Sequence, residues 1–138
     1  MYPIAMEGAL KLKEISYIHA EGFAGGELKH GPIALIEPGQ VVFVVVPSPR
    51  NEPLLHSKIV SNIQEIRARG ARVIAVAEAG DAAVLPYADV VLRVPLTLPM
   101  LEPVLQVVPL HVFALELATA KGLDVDQPRN LAKSVTVE

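Results

Sequence analysis

Three charged residues near the start of the chain have side-chain types and a spacing that suit proton transfer. Glu7, Lys11 and Glu14 are separated by four and three residues, so a helix would place all three on one face. A lysine beside a carboxylate can tune that carboxylate for moving a proton next to a carbonyl group. From the spacing alone, a ladder of surface ion pairs is the favoured interpretation, and proton transfer is the alternative.

Two other side chains could act on a carbonyl compound. His30 lies in a glycine-rich loop at residues 21–31, and a histidine titrates near neutral pH, which suits acid–base chemistry. Lys133 could form a Schiff base with a ketose if burial or a neighbouring cation such as Arg129 made its amine less basic. The alternatives are an ordinary surface histidine and an exposed lysine in the C-terminal tail.

The elements that must position these residues alternate along the chain. Helical patterns cover three segments, residues 3–20, 54–69 and 100–121. The continuous apolar run at residues 41–46 is typical of a strand buried on both faces. Residues 72–77 are predicted to form the next buried strand, and residues 89–94 a third strand. Strands separated by helical segments predict right-handed parallel crossovers. The predicted fold class is therefore α/β, a three-layer sandwich with a parallel sheet flanked by helices.

The composition narrows the classes of function. The 138 residues include 51% hydrophobic and 20% charged residues, which is typical of a globular chain with one domain. A net charge of −3 argues against a nucleic-acid surface, and the chain has no cysteine for a disulfide or a thiolate metal site. No histidine has metal-like spacing with carboxylates and no nucleotide fingerprint occurs, so we expect no metal and no cofactor.

The most apolar stretch, residues 96–120, is predicted to be a buried helix rather than a membrane span. It includes three prolines and several polar residues, so that no run of about 20 apolar residues occurs. The N-terminus lacks the features of a signal peptide. We therefore expect no membrane association and a cytoplasmic location.

Three motifs together carry a resemblance to a known family. They are EGALKLKEISYIHAE at residues 7–21, GELKHGP at residues 26–32 and DQPRNLAKSVTVE at residues 126–138. With these motifs in this order, the chain resembles the C-terminal sugar isomerase (SIS) domain of the glutamine–fructose-6-phosphate aminotransferases, or glucosamine-6-phosphate synthases. The resemblance implies a flavodoxin-like SIS domain at residues 1–121, followed by a catalytic tail at residues 122–138.

The same resemblance implies roles for individual residues. Glu14 falls on the position that moves a proton between C1 and C2 of the sugar, and Lys11 on a position proposed to assist that transfer. His30 falls on the histidine that helps to open the sugar ring and reaches the active site of the partner subunit in a dimer. Lys133 falls on the lysine that forms the Schiff base with fructose 6-phosphate. Glu7 has no such role and is interpreted as structural.

The resemblance further implies that parts of the family's enzyme are absent. We expect a sheet that lacks its first strand, and we expect the glutaminase domain and the first SIS domain, whose Ser/Thr-rich loop holds the substrate phosphate, to be missing. The incomplete sheet should self-associate, a homodimer is expected, and the chain alone should be nearly inactive. The segment Ser48–Asn51 is the one candidate phosphate loop, and an ordinary loop is its favoured interpretation.

Two other functions stay open at this point. SIS domains also serve as non-catalytic sugar-phosphate-binding modules, and a related deglycase or isomerase would act on another amino-sugar phosphate. A pure binding module has no need of Glu14, His30 and Lys133 together. Their joint presence favours the enzyme that converts fructose 6-phosphate and ammonia to glucosamine 6-phosphate.

Overall fold

The computed structural model describes residues 1–130 of the chain. The helices are α1 (Tyr2–Lys11), α2 (Pro53–Ala68) and α3 (Glu102–Ala120), and the strands are β1 (Val41–Val45), β2 (Arg72–Glu78) and β3 (Val90–Val94). Shorter helical turns cover Leu12–Ser16, Gly25–His30, Pro32–Leu35 and Pro99–Leu101. The three predicted strands and the two later helices are confirmed to within a few residues.

The strands form one parallel sheet in the order β1–β2–β3. Val41 of β1 pairs with Arg72 of β2, and Ile74 of β2 pairs with Val90 of β3. The connection from β1 to β2 runs through α2, whereas β2 and β3 are joined by turns at residues 79–89. Because the strands are parallel, their carboxyl ends meet at one edge of the sheet.

Helices cover both faces of the sheet, which gives the predicted three layers. One face packs against α2 and the turn Gly25–His30, through a core that includes Ile63 and Leu28. The other face packs against α1 and α3, through a core that includes Ile4 and Leu110. Most of these side chains are aliphatic, and burying each one stabilises the fold by about 1.5–3 kcal/mol.

The first helix ends earlier than the sequence predicts. The α-helix ends at Lys11, and the chain continues as one wider π-helical turn, Leu12–Ser16. Tyr17 then reverses the chain with a left-handed backbone, at φ 57° and ψ 29°. The prediction of helix at residues 17–20 is wrong because a tyrosine, rather than a glycine, adopts the conformation that ends the helix.

Only one side of α3 is buried, so the prediction of a buried helix is wrong for its outer side. The buried residues recur every four positions, at Glu102, Gln106, Leu110, Ala114 and Ala118. The outer side exposes valines at positions 104, 108 and 112. By length and composition alone, Pro99–Ala120 could cross a membrane, but its inner side packs against α1 and the sheet.

The close approach of α1 and α3 requires a small residue at Gly8. A Cβ atom at this position would lie 2.8 Å from Cδ1 of Leu110, closer than side chains pack. This contact brings Glu7 on α1 beside His111 on α3. The packing of these two helices therefore positions the residues described next.

Candidate active site

Lys11 and Glu14 are joined where α1 passes into the π-helical turn. Nζ of Lys11 donates a hydrogen bond to Oε2 of Glu14 at 2.8 Å, and the two side chains are 33% and 22% exposed. This hydrogen bond and the charge of Glu14 raise the pKa of Lys11 above its ordinary value of 10.5. Lys11 is therefore an ammonium group at neutral pH, next to a carboxylate that solvent and a small ligand can reach.

Glu7 lies on the same face and links this pair to α3. Its Oε1 lies 3.6 Å from Nζ of Lys11 and 3.0 Å from Nε2 of His111. The side chain of His111 is 43% exposed, so this contact between α1 and α3 lies at the surface. The side chains of His111, Glu7, Lys11 and Glu14 thus form a continuous polar row. Glu7 thus links Lys11 to His111, and its structural interpretation stays a prediction.

The π-helical turn that carries Glu14 is held firmly at its end. Ser16 is fully buried, and its Oγ donates a hydrogen bond to the Leu12 carbonyl at 2.6 Å. Nζ of Lys121, just after α3, donates to the Ser16 carbonyl at 2.6 Å. A cation is favourable at the C-terminal end of a helix, where carbonyl groups lack partners. Turns of this kind are rare and occur frequently at functional sites.

Glu14 lines an open cleft of about 350 Å³ together with Lys13, Tyr17, Arg129 and Asn130. The backbone N–H of Arg129 donates to the hydroxyl of Tyr17 at 2.7 Å, and its guanidinium lies 4.2 Å from the centre of the Tyr17 ring. The cleft therefore combines residues from both ends of the chain. The sequence interpretation considered Arg129 only as a neighbour of Lys133 and missed Tyr17, since no glycine or proline marks that turn.

His30 lies on a different part of the domain. It is exposed at the end of the turn Gly25–His30, and this turn is fixed to α2. Asn62 donates to the Gly25 carbonyl at 2.8 Å, and Lys29 forms an ion pair with Glu65 at 2.6 Å. Because α2 and α1 cover opposite faces of the sheet, the segments that carry His30 and Glu14 pack on opposite faces.

Lys133 lies outside the described residues, as do all of residues 131–138 in the predicted catalytic tail. Asn130 is the last described residue, and it lines the cleft beside Glu14. Lys133 follows it by three residues in the sequence. The predicted Schiff-base role of Lys133 therefore stays a prediction.

A second group of polar side chains lies at the carboxyl ends of the strands, the edge where open α/β sheets usually bind ligands. Ser48, Glu78 and Glu102 are buried there, each at most 5% exposed. Oγ of Ser48 donates to Glu78, and its backbone N–H donates to Oε1 of Glu102 at 2.7 Å. The sequence interpretation missed both glutamates, since nothing distinguishes them from surface carboxylates in the printed sequence.

These glutamates and the hydroxyl of Ser48 together occupy the hydrogen-bond donors of the candidate phosphate loop Ser48–Asn51. The backbone N–H groups of Arg50 and Asn51 donate to Oγ of Ser48 at 3.2 and 3.3 Å. The Arg50 side chain pairs with Glu78 at 3.2 Å, and the Asn51 amide donates to Glu102 at 3.1 Å. Two buried carboxylates repel an anion, so this edge suits structural support rather than phosphate binding.

The chain is similar in sequence to known sugar isomerase domains. Residues 1–121 match the family model of the SIS domain. Over 137 residues, the chain is 80% identical to the glutamine–fructose-6-phosphate aminotransferase (isomerizing) of Leifsonia xyli subsp. xyli, and 72% identical to that of Tropheryma whipplei. Each match covers 99% of this chain and 22% of the relative, so the chain spans about a fifth of the length of these proteins.

Solved structures share its fold. The C-terminal domain of glucosamine-fructose-6-phosphate aminotransferase from Francisella tularensis superimposes with a TM-score of 0.78 and 43% sequence identity, covering 91% of this chain and 34% of that one. The parallel sheet and the helices on both of its faces agree with the match of residues 1–121 to the SIS domain model. The chain therefore belongs to the SIS domain family.

Proposed function

We propose that the chain provides the C-terminal isomerase part of a glutamine–fructose-6-phosphate aminotransferase. The observation that carries this proposal is the pair formed by Lys11 and Glu14, in which Glu14 lines an open cleft together with Asn130. A carboxylate fixed by an ammonium group, accessible to a small ligand and held on a rigid turn, is suited to moving a proton on bound sugar. The high identity to such aminotransferases supports the same role.

In this proposal, Lys133 first forms a Schiff base with the C2 carbonyl of fructose 6-phosphate, releasing water. After ammonia has taken the place of the lysine amine at C2, Glu14 removes a proton from C1 and returns it to C2. The C1 hydroxyl loses its proton and becomes the aldehyde of glucosamine 6-phosphate, and the C2 imine nitrogen takes up one proton and becomes the amine. Lys11 stabilises the negative charge that develops near Glu14 during this transfer, because it stays an ammonium group.

His30 opens the sugar ring in a neighbouring copy of the chain, in a homodimer. Its segment packs on the face of the sheet opposite to that of Glu14, which fits a role in the site of a partner subunit. Other parts of the enzyme bind the substrate phosphate and supply the ammonia. In the loop Ser48–Asn51, the side chains of Arg50 and Asn51 already pair with buried carboxylates, which supports phosphate binding elsewhere. The chain alone is therefore nearly inactive, and the working enzyme is cytoplasmic.

The test uses a chimera in which this chain replaces the matching 137 residues of the Leifsonia xyli aminotransferase. We expect glucosamine 6-phosphate to form from fructose 6-phosphate and glutamine. Glu14→Gln should lower kcat by on the order of 10²–10⁴-fold, the usual contribution of a general base. Lys133→Arg, which keeps the charge but cannot form a Schiff base, should abolish trapping of the sugar by borohydride.

Two exposed residues provide matched controls, Glu116→Gln on α3 and Lys58→Arg on α2. Both variants should retain the activity of the unmodified chimera. A chimera that binds fructose 6-phosphate but forms no product would contradict the proposed enzyme and favour a sugar-phosphate-binding module. Full activity of Glu14→Gln would exclude the proposed proton transfer by Glu14.

A further inference from the structure

The segment that follows α3 is fixed to two adjacent residues, at its start to Ser16 and at its end to Tyr17. At its start, Nζ of Lys121 donates to the Ser16 carbonyl at 2.6 Å. At its end, the backbone N–H of Arg129 donates to the Tyr17 hydroxyl at 2.7 Å, and the Arg129 guanidinium lies 4.2 Å from the Tyr17 ring centre. Residues 121–129 therefore form a closed loop over the end of the π-helical turn.

This loop has its own internal hydrogen bonds. Gly122 adopts a left-handed backbone with φ 68°, and the N–H of Leu123 donates to the Ala118 carbonyl at 3.0 Å, which ends α3. The carboxylate of Asp124 accepts hydrogen bonds from the N–H groups of Asp126 and Gln127, both at 2.9 Å. These bonds define a single path for the chain from α3 to Arg129.

The backbone of Tyr17 is unusual for an aromatic residue. Its φ of 57° lies in the left-handed region, which glycine or asparagine adopts more readily. Residues in such conformations persist where the surroundings hold them, and they cluster at functional sites. In this chain, the conformation places the Tyr17 ring in the cleft that Glu14 lines, where it meets Arg129.

We infer that Tyr17 and Arg129 are positioning residues that hold the start of the C-terminal tail at the cleft beside Glu14. Neither residue acts on the sugar in this inference. Asn130 lines the cleft, and Lys133 is three residues further on, a distance of at most about 11 Å along an extended chain. The inference rests on the proposed function, because it gives the Tyr17–Arg129 contact the purpose of bringing the Schiff-base lysine to the carboxylate.

The contact can be tested on the chain itself, without any activity. Trypsin cleaves after Arg129, and it must first release this residue from Tyr17. Tyr17→Ala should therefore increase the cleavage rate between Arg129 and Asn130 by on the order of 5–10-fold, because cleavage follows the population of the open form. Cleavage after Lys58, within α2, reports on opening of the whole fold and should not change.

Two further variants make this test specific. Tyr17→Phe keeps the ring and removes only the hydroxyl, so it should accelerate cleavage after Arg129 by a smaller factor, and it remains informative if Tyr17→Ala does not fold. Tyr2→Ala, at an exposed tyrosine on α1, should have no effect on this cleavage. Unchanged cleavage in both Tyr17 variants, or equal acceleration after Lys58, would overturn the inference.

The chimera with the Leifsonia xyli aminotransferase tests the consequence for catalysis. Tyr17→Ala should lower kcat and the rate of borohydride trapping at Lys133 by on the order of 10-fold, while KM changes little, because positioning affects the chemical step. Arg129→Lys, which keeps a cation over the ring, should retain more activity than Arg129→Ala. Unchanged kcat and trapping in Tyr17→Ala would overturn the inference.

The two experiments also separate this inference from the proposed function. If the unmodified chimera forms no product and traps no sugar, the proposed function fails. The trypsin experiment still decides whether Tyr17 holds Arg129, since it measures the contact alone. If the chimera is active and Tyr17→Ala leaves trypsin cleavage unchanged, the proposed function stands and the positioning role fails.

Discussion

Nε2 of His111 lies 3.0 Å from Oε1 of Glu7, a hydrogen bond between residues 104 positions apart that ties α3 to the helix carrying Lys11. This bond extends the ion pair of Lys11 and Glu14 across the interface between two helices. The candidate proton-transfer pair is thus linked, through Glu7, to a side chain outside the motif in which it lies, His111. The geometry of Glu14 depends on how α1 and α3 pack, as well as on the helix spacing.

The His111–Glu7 bond should have a measurable coupling energy. In a double-mutant cycle with His111→Ala and Glu7→Ala, we expect a coupling of about 0.5–1 kcal/mol in the free energy of unfolding, because both groups are partly exposed. The matched control is His19 with Glu21, a pair 3.4 Å apart whose side chains are 83% and 51% exposed. This control cycle should give a coupling near zero, and equal values in the two cycles would contradict the prediction.

Gly22 should tolerate no side chain, because the loop that contains it packs against the backbone of α1. A Cβ atom at Gly22 would lie 2.8 Å from the backbone nitrogen of Met6 and 2.9 Å from the carbonyl carbon of Ala5. We expect Gly22→Ala to lower the free energy of unfolding by about 1–3 kcal/mol, measured by urea denaturation. Gly26→Ala is the control, since nothing lies within 4 Å of its Cβ position. Equal stability of the two variants would argue against this backbone contact.

Asp89 should make stability depend on pH in the acid range. Its hydrogen bond with Arg67, with a second from the Val73 N–H at 2.7 Å, holds its pKa below the ordinary value of 3.8. A carboxylate with a lowered pKa stabilises the fold above its unfolded-state pKa, and this contribution is lost as the pH falls through the lower folded-state value.

Asp89→Asn should therefore be less stable than the unchanged chain at neutral pH. The difference should shrink as the pH falls below 3.8. Urea unfolding at a series of pH values measures this difference, with Asp126→Asn in the exposed loop after α3 as the control. A difference that stays constant down to strongly acidic pH would contradict the assignment.

Glu102 should be among the most sensitive positions of the fold. It accepts hydrogen bonds from the Ser48 N–H at 2.7 Å, the Gln106 amide at 3.0 Å and the Asn51 amide at 3.1 Å. Glu102→Ala leaves these donors without their acceptor in a buried site, and we expect a loss of about 2–4 kcal/mol in the free energy of unfolding. Glu116→Ala, on the exposed side of the same helix, should cost little. A small loss in the free energy of unfolding for Glu102→Ala would contradict this prediction. It would show that the side chains at the carboxyl ends of the strands rearrange around the missing carboxylate.

The parts of the fold that the sequence predicts are those with local patterns. The strand β1 lies in a continuous apolar run, and α2 shows its apolar spacing through Ile59, Ile63 and Ile66, all of which are buried. The pair of Lys11 and Glu14 could be predicted for the same reason, since a helix brings residues three positions apart together. These features depend only on residues that lie close together in the sequence.

The remaining features depend on contacts between distant parts of the chain. The end of the π-helical turn at Tyr17 could not be predicted, because the glycine that usually marks such an end lies later, at Gly22. The contact of Tyr17 with Arg129 joins residues 112 positions apart. The burial of carboxylates such as Glu78 could not be predicted either, because a buried carboxylate needs hydrogen-bond partners that only the tertiary structure provides.

The packing of the segments of Glu14 and His30 on opposite faces of the sheet has a genetic consequence. In the proposed homodimer, chains with Glu14→Gln and chains with His30→Ala would each form inactive enzyme on their own. A mixed dimer would contain one site that combines the intact Glu14 of one chain with the intact His30 of the other. Two loss-of-function alleles of the chimera would then complement each other in one cell, whereas Glu14→Gln and Lys133→Arg, on one side of a shared site, would not.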